Sequence, residues 1–366
     1  MASQRGLSRR ELLRIAGLGT VGAFVAACAP AAAPSPSSAP TASAAAPSGS
    51  AAAAAFAPDL AKAKAEGKVV GYGVLIDSQW KALKDVLDKR AGIALENYRA
   101  PTAQAMSRFE TEKSAGKDLC DFFIVESVYM PALAKQGYLV KLPKAIIERV
   151  PEKWRDPDGY YAVFTLFPQT VIYNKKLVAP ADAPKTLEDL LLPKWKGKIA
   201  MVDPTLNETF LRWFYVIRQQ MGEDKAKAFF SGLKAQGATN FSSGLTVSTN
   251  VNQGQFPIGI GFMTHVLSVG GPNGNMDYMR MDPMVAGNGA FALASKPPHP
   301  EATKVAEDLF FSKEYLQLSG DLGYPITVPG VKSAIPGADA IDYELLPDLP
   351  KDKFDEMTKY LTALLK

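Results

Sequence analysis

Two successive series of short apolar runs, each alternating with amphipathic stretches, constrain this chain more than any other feature. Residues 68–76 form an apolar run of the length of a buried strand, and Asp77 and Ser78 follow it as a helix cap. The next stretch sets Trp80, Leu83, Val86 and Leu87 on one face. A strand over 93–98, a helix over 102–115, a strand over 119–125 and a short helix ending near Gly137 continue the order. After an apolar run over 163–173 the alternation restarts, with strand 198–202, helices 205–220 and 224–235, and strand 255–261. Strands alternating with helices predict parallel sheets covered on both faces, so the fold class is α/β. At 366 residues the chain is long enough for two such units.

The first 58 residues stand outside that pattern. Arg9 and Arg10 precede an apolar run from Ile15 to Ala27. Thirteen residues of helix span about 20 Å, short of a hydrocarbon core of about 30 Å. A basic start, a short apolar run and small residues at its end form an export signal over residues 1–27. Ser8-Arg9-Arg10-Glu11-Leu12-Leu13 resembles the twin-arginine motif, and Val25-Ala26-Ala27-Cys28 resembles a lipobox. If the lipobox holds, Cys28 carries a diacylglycerol and tethers the protein to the outer face of the cell membrane or the periplasm without spanning it; otherwise Cys28 is incidental in a cleaved soluble protein. Residues 29–58 hold fifteen Ala, six Pro and six Ser and no charged side chain. They read as a linker (28–58 with the cysteine) that reaches about 30 Å as a coil or about 90 Å as polyproline.

Net charge invites a nucleic-acid reading and then withdraws it. Of the formal +4, residues 1–27 supply +3 through Arg5, Arg9, Arg10 and Arg14 against Glu11, leaving +1 for the rest. Cys28 and Cys120 are the two cysteines, so a lipidated Cys28 leaves no intramolecular disulfide. Cys120 lies in an apolar run without a histidine nearby, which favours a packed core thiol over a catalytic one. No phosphate-binding Gly-x-x-x-x-Gly-Lys, nucleophile-elbow Gly-x-Ser-x-Gly or zinc-binding His-Glu-x-x-His occurs, and there are two histidines.

The stretches Val171-Ile172-Tyr173-Asn174-Lys175-Lys176-Leu177, Ala183-Pro184-Lys185-Thr186-Leu187-Glu188-Asp189-Leu190 and Pro193-Lys194-Trp195-Lys196-Gly197-Lys198-Ile199 are similar to the extracellular solute-binding proteins of ABC importers, ferric-iron-binding-protein-like branch. Met221-Gly222-Glu223, Gly259-Ile260-Gly261-Phe262 and Ser312-Lys313-Glu314 extend the resemblance over residues 68–331. It implies two doubly wound α/β lobes joined by a crossing-strand hinge, with the ligand cleft between them. The lobes would be 59–168 with 286–366, and 169–285, with hinges near Phe167-Pro168-Gln169-Thr170 and Met284-Val285. It also implies a monomer with no cofactor and no catalysis, which closes on a small-molecule solute and presents it to an ABC permease and its ATPase.

Ligands of open α/β sheets sit at the carboxyl ends of strands, which selects Asp77, Ser78, Glu126 and Ser127. Asp203-Pro204-Thr205 and Ser242-Ser243-Gly244 stand before helices, where free N–H groups favour an anion; plain capping is the competing reading. Gln169 at the hinge, Thr209, His265 after a second-lobe strand, and Tyr324 of a Tyr-Pro matching the family's late motif complete the expected cleft. Iron-binding members carry a Tyr-Tyr pair after the Gly-Ile-Gly strand, where this chain has Phe262-Met263-Thr264-His265-Val266-Leu267; Tyr160-Tyr161 lies ahead of the hinge. The expected solute is therefore an organic anion or zwitterion (carboxylate, phosphonate or phosphate ester), and no metal site is expected. Glu126 favours a cationic group, Arg108 and Arg212 are carboxylate clamps or solvated helix charges, and His299 reads as a surface loop. Ferric iron is the alternative solute. A transferase or hydrolase on the same fold, or a tethered adhesion or sensor protein, are the alternatives of other classes.

Overall fold

A computed structural model describes residues 56–366. The expected export signal, Cys28 and all but the last three residues of the expected linker lie outside the described residues. The described chain opens on the helix Leu60–Glu66, capped by the Asp59 carboxylate, which accepts from the N–H groups of Ala61 and Lys62.

Eleven strands follow among the described residues: β1 Lys68–Gly73, β2 Ala94–Arg99, β3 Phe122–Val125, β4 Leu139–Val140, β5 Tyr161–Asn174, β6 Ile199–Val202, β7 Thr239–Phe241, β8 Ile258–Phe262, β9 Met276–Tyr278, β10 Met284–Ala294 and β11 Tyr343–Leu345. The order of the first sheet is β2-β1-β3-β10-β5, with β4 and β11 on β10; that of the second is β5-β8-β6-β7, with β9 on β5. The fold is mixed α/β in two lobes, and its sheets are mixed where parallel ones were expected. β1, β2 and β3 are parallel, as are β6, β7 and β8, but β5 runs against all its partners, and β10 runs against β3, β4 and β5 while lying parallel to β11. The reason is that β5 serves both sheets. Ala162 to Pro168 pair with β10, and Gln169 to Tyr173 pair with β8, so the chain passes between lobes at Pro168–Gln169. The return passage lies between β9 on the second sheet and Ala286, which pairs with Pro168.

β1 ends at Gly73, three residues short of the expected run, because there it leans into β3. A Cβ on Gly73 would lie 2.2 Å from the Ile124 carbonyl oxygen, and one on Gly71 would lie 2.5 Å from the Phe122 ring. That approach frees Val74 to Ile76 to turn into the helix Asp77–Ala91 at the strand's carboxyl end.

Each lobe has its own core. Trp80, Phe122, Phe164, Phe291 and Phe310 pack on one face of the first sheet, and Tyr72, Phe109 and Phe123 on the other. Phe210, Trp213, Phe214, Phe229 and Phe230 fill the second. The last helix, Lys351–Leu365, was expected with the first lobe; it packs instead into the second core through Met357, Leu361 and Leu365. Burying three such side chains is worth about 1.5–3 kcal/mol each, and the helix packs them against the second-lobe pair Glu208–Met221 and Glu223–Ala235.

Candidate functional site

A cavity of about 170 Å³ lies where the two lobes face each other. The first lobe lines it with Val74, Ile76, Gln79, Glu126, Phe167 and Tyr324, the second with Thr209, Phe262, Thr264 and His265. The topology brings them together. Val74 and Ile76 follow β1, Glu126 follows β3, Phe167 and Phe262 flank the passage of β5, and Thr209 lies in the first turn of the helix Glu208–Met221. Gln79 is fixed by donating to the Ser319 hydroxyl (3.1 Å) while its own oxygen accepts from the Ile76 N–H (3.2 Å).

Glu126 is bound across the interlobe space. One of its carboxylate oxygens accepts from the Thr209 hydroxyl at 2.9 Å, and the other pairs with Arg212 Nη2. Arg212 is 6% exposed and Glu126 13%, so the pair is almost dry. The solvated helix charge considered for Arg212 is thus replaced by a buried ion pair. Beside it Tyr129 of the first lobe donates to Glu208 of the second. Past this clasp opens a second interlobe cavity of about 410 Å³, whose wall includes Tyr129, Glu208, Arg212, Lys351 and Asp355.

His265 Nδ1 shares a 2.7 Å hydrogen bond with the Ser248 hydroxyl, and burial pushes its pKa down to about 4, so the ring is neutral at physiological pH. Burial pushes Tyr324 up to about 12, and its ring meets Phe167 edge-on at 5.8 Å. With Glu126 matched by Arg212, the smaller cavity offers an aromatic wall, hydroxyls, one amide, a neutral imidazole and a paired carboxylate. Such a lining binds a small polar molecule by hydrogen bonds and ring contacts.

Four of the residues expected in the cleft line the smaller cavity: Glu126, Thr209, His265 and Tyr324. The others are placed elsewhere. Asp77 is 88% exposed and faces Arg99 at 3.7 Å, and Ser78 is exposed beside it. Ser127 is buried and donates its backbone N–H to Asn288 Oδ1 at 3.0 Å. Gln169 is buried at the passage, where its amide donates to the Phe167 carbonyl and its own oxygen has no partner. Asp203 and Thr205 do not begin a helix: the carboxylate accepts from Thr205 N–H and hydroxyl at 2.9 and 2.6 Å, and Lys366 reaches both residues. Burial alone would raise the Asp203 pKa, yet the bonds from Thr205 and Lys366 hold it below the usual carboxylate range. That local turn competes with helix, and Asn207 caps in its stead, accepting from Phe210 N–H at 3.1 Å. Ser243 does cap, accepting from Thr246 N–H at 3.2 Å; Ser242 is exposed before it. That helix start packs on the cleft, since a Cβ on Gly244 would lie 2.5 Å from the Phe262 ring.

Outside the cleft, Cys120 is buried, its thiol donating to the Phe122 carbonyl, and burial pushes its pKa up. Arg108 pairs with Glu112 and stacks over Tyr98, 4.2 Å from the ring centre. His299 is no loose loop residue: its Nδ1 lies 2.8 Å from the buried Asp121 carboxylate, at the start of the helix Pro300–Phe310. Tyr161 opens β5 in the first lobe, opposite Ala292. Among the described residues, no three His, Cys, Asp or Glu side chains gather where they could hold a metal ion.

Sequence reasoning missed Val74, Ile76, Gln79, Phe167, Phe262 and Thr264. The strand-end rule pointed at the right loop after β1, but polarity favoured Asp77 and Ser78 over the neighbours that the helix start turns inward. Phe167 and Phe262 carry a signal only once β5 is seen to cross between sheets.

Residues 117–342, more than half of the chain, match the bacterial extracellular solute-binding proteins. A curated relative, the Fe(3+)-binding periplasmic protein of Serratia marcescens, is 25% identical over 199 residues, 54% of this chain and 57% of that protein. The chain thus spans little more than half the length of that relative. Among solved structures, the substrate-binding protein of an ABC transporter from Agrobacterium tumefaciens superposes with a TM-score of 0.70 at 17% identity, over 82% of this chain and 94% of that one. The periplasmic binding protein AfuA from Actinobacillus pleuropneumoniae, with fructose-6-phosphate bound, gives 0.63 at 18% identity, over 82% and 96%. At these identities the structural likeness establishes the fold.

Proposed function

This chain belongs to the bacterial extracellular solute-binding proteins, and from that premise we propose that it captures a small organic anion or zwitterion between its lobes and delivers it to an ABC permease. One observation carries the reading: Glu126, Thr209, His265 and Tyr324, far apart in sequence and on two lobes, line one small cavity at the passage of β5. Closing two lobes on a solute turns binding into a change of shape, and no bond need be made or broken. Membership of an extracellular family supports a site of action outside the cytoplasm. A lipid on Cys28, after twin-arginine export, would hold the body near its permease on the Ala/Pro/Ser linker, with residues 59–168 and 286–350 as one lobe and 169–285 with the last helix as the other.

The polar groups of the cleft support an organic solute. Hydroxyls, an amide and a neutral imidazole suit oxygens and nitrogens of a small molecule, and Glu126 is already engaged by Arg212 and Thr209. The name of the Serratia marcescens relative keeps ferric iron as the second reading. Thermal unfolding of residues 56–366 against phosphonates, phosphate esters, carboxylates, amino acids and ferric citrate tests both. A solute at 100 times its dissociation constant adds about 2.7 kcal/mol, a visible shift of midpoint. A shift with an organic anion or zwitterion and none with iron supports the first reading. A shift with iron and a tyrosinate charge-transfer band overturns it.

A further inference from the structure

We propose that Arg212 is the anchor for an oxyanion of the solute, and that Glu126 is its internal stand-in, holding the guanidinium until the solute's own oxygens replace it. The inference rests on the cleft being a solute site and says which side chain reads the charge.

A guanidinium has five N–H donors in a planar fork, and its strongest pairing with a carboxylate or phosphate is bidentate. Arg212 uses that fork incompletely. Its Nε donates at 3.4 Å to the Glu208 carbonyl within its own helix, and Nη2 pairs with a single oxygen of Glu126. Nη1 is buried and has no partner. An orphan donor on a side chain 6% exposed is costly to leave unmade, and no neighbour in the fold supplies its acceptor. The other oxygen of Glu126 is drawn to Thr209, which keeps the carboxylate from turning both oxygens to Arg212.

An oxyanion with two or three oxygens satisfies what Glu126 does not. Glu126 and Thr209 line the smaller cavity and Arg212 the larger one beside it, so an oxyanion that moves the Glu126 carboxylate aside can take Nη2, accept the Thr209 hydroxyl and offer Nη1 the acceptor it lacks. Because Glu126 belongs to the first lobe and Arg212 and Thr209 to the second, the exchange happens across the cleft and is felt by both lobes. Once displaced, Glu126 faces the cavity with its charge unmatched, since His265 is neutral there. A cationic group on the same solute restores the balance. The pair therefore selects a molecule that carries an oxyanion and an amine.

Inorganic phosphate and acetate test the anchor without knowledge of the rest of the solute. Calorimetric titration at low ionic strength compares the wild-type chain with Glu126→Gln, which keeps the shape and the Thr209 bond but vacates the charge on Arg212. If the internal carboxylate holds Arg212 nine-tenths of the time, its removal raises apparent affinity about tenfold. Glu126→Gln is expected to bind phosphate or acetate at least that much more tightly, and adding Arg212→Lys is expected to erase the gain. Tyr129→Phe, which loosens the lobes without touching Arg212, is expected to gain nothing. Should Glu126→Gln fail to fold, Glu126→Asp, which shortens the reach to Arg212, reads the same gain. No gain on weakening the carboxylate, a gain that survives Arg212→Lys, or an equal gain in Tyr129→Phe overturns the proposal. A wild-type solute without an oxyanion overturns the anchor while leaving capture intact.

Discussion

Glu126, just past the end of β3, and Arg212, in the second turn of the helix Glu208–Met221, form an ion pair that joins the two lobes. The pair closes the space between lobes with the protein's own charges, beside the cavity lined by Thr209, His265 and Tyr324. It follows that Arg212 supports both stability and binding, whereas Glu126 supports stability and opposes binding.

Removing one member of a nearly dry pair leaves the other buried and unmatched, at a cost of about 3–5 kcal/mol where burial is complete. Arg212→Gln is therefore expected to destabilise the body by about 3 kcal/mol in urea unfolding monitored by tryptophan fluorescence. A loss under about 1 kcal/mol would mean that water reaches the pair and that the clasp is open in solution.

Glu307 predicts a pH dependence with a definite sign. It lies in the helix Pro300–Phe310, fully buried, with neither carboxyl oxygen partnered. Burial pushes its pKa up to about 8; Arg149 pulls it down less, and Asp308 adds to the rise. The unfolded carboxyl titrates near 4.5, so between about pH 4.5 and 8 the folded state holds a proton that the unfolded state has lost. Stability from this group falls as pH rises through that window and is lost above it. Glu307→Gln is expected to raise the unfolding midpoint at pH 8 by several degrees and leave it nearly unchanged at pH 4. Equal effects at both pH values would remove Glu307 as the cause.

The two units and their α/β class were legible because they follow from long-range repetition of apolar runs, which burial enforces, whereas a passage near residue 168 came only from the resemblance to a family. The antiparallel β10 and the transfer of the last helix were not, since neither strand direction nor helix partner leaves a mark on local periodicity. At the site, Glu126, Thr209 and His265 could be named from polarity and position, and Tyr324 from its likeness to a family motif. Thr205 could not be separated from Asn207, because an Asp203 carboxylate that bonds two residues ahead looks in sequence like a helix cap. Arg212 was the hardest to read, for the partner that draws it into the interior comes from the other lobe.

Asn207 and Thr205 separate capping from binding. Asn207→Ala removes the side chain that accepts from Phe210 N–H and is expected to cost about 1 kcal/mol. Thr205→Ala breaks contacts to Asp203 and Lys366 away from the cavity and is expected to leave solute affinity within twofold. Loss of affinity in Thr205→Ala would move the site toward Asp203.

His265 titrates in the sense opposite to Glu307. Its pKa is lowered to about 4 by burial, whereas an unfolded histidine titrates near 6.5. Between those values the unfolded state binds the extra proton, so the stability this group contributes is complete above about pH 6.5 and is lost as pH falls toward 4. His265 Nδ1 lies 2.7 Å from the Ser248 hydroxyl, and the residue lines the cavity. Proton-detected NMR of the two histidines should show His265 neutral down to pH 5, and bound solute should move its signals without charging it. A His265 that titrates near 6.5 would mean that water fills the cleft and that the imidazole meets the solute as a cation at mildly acid pH.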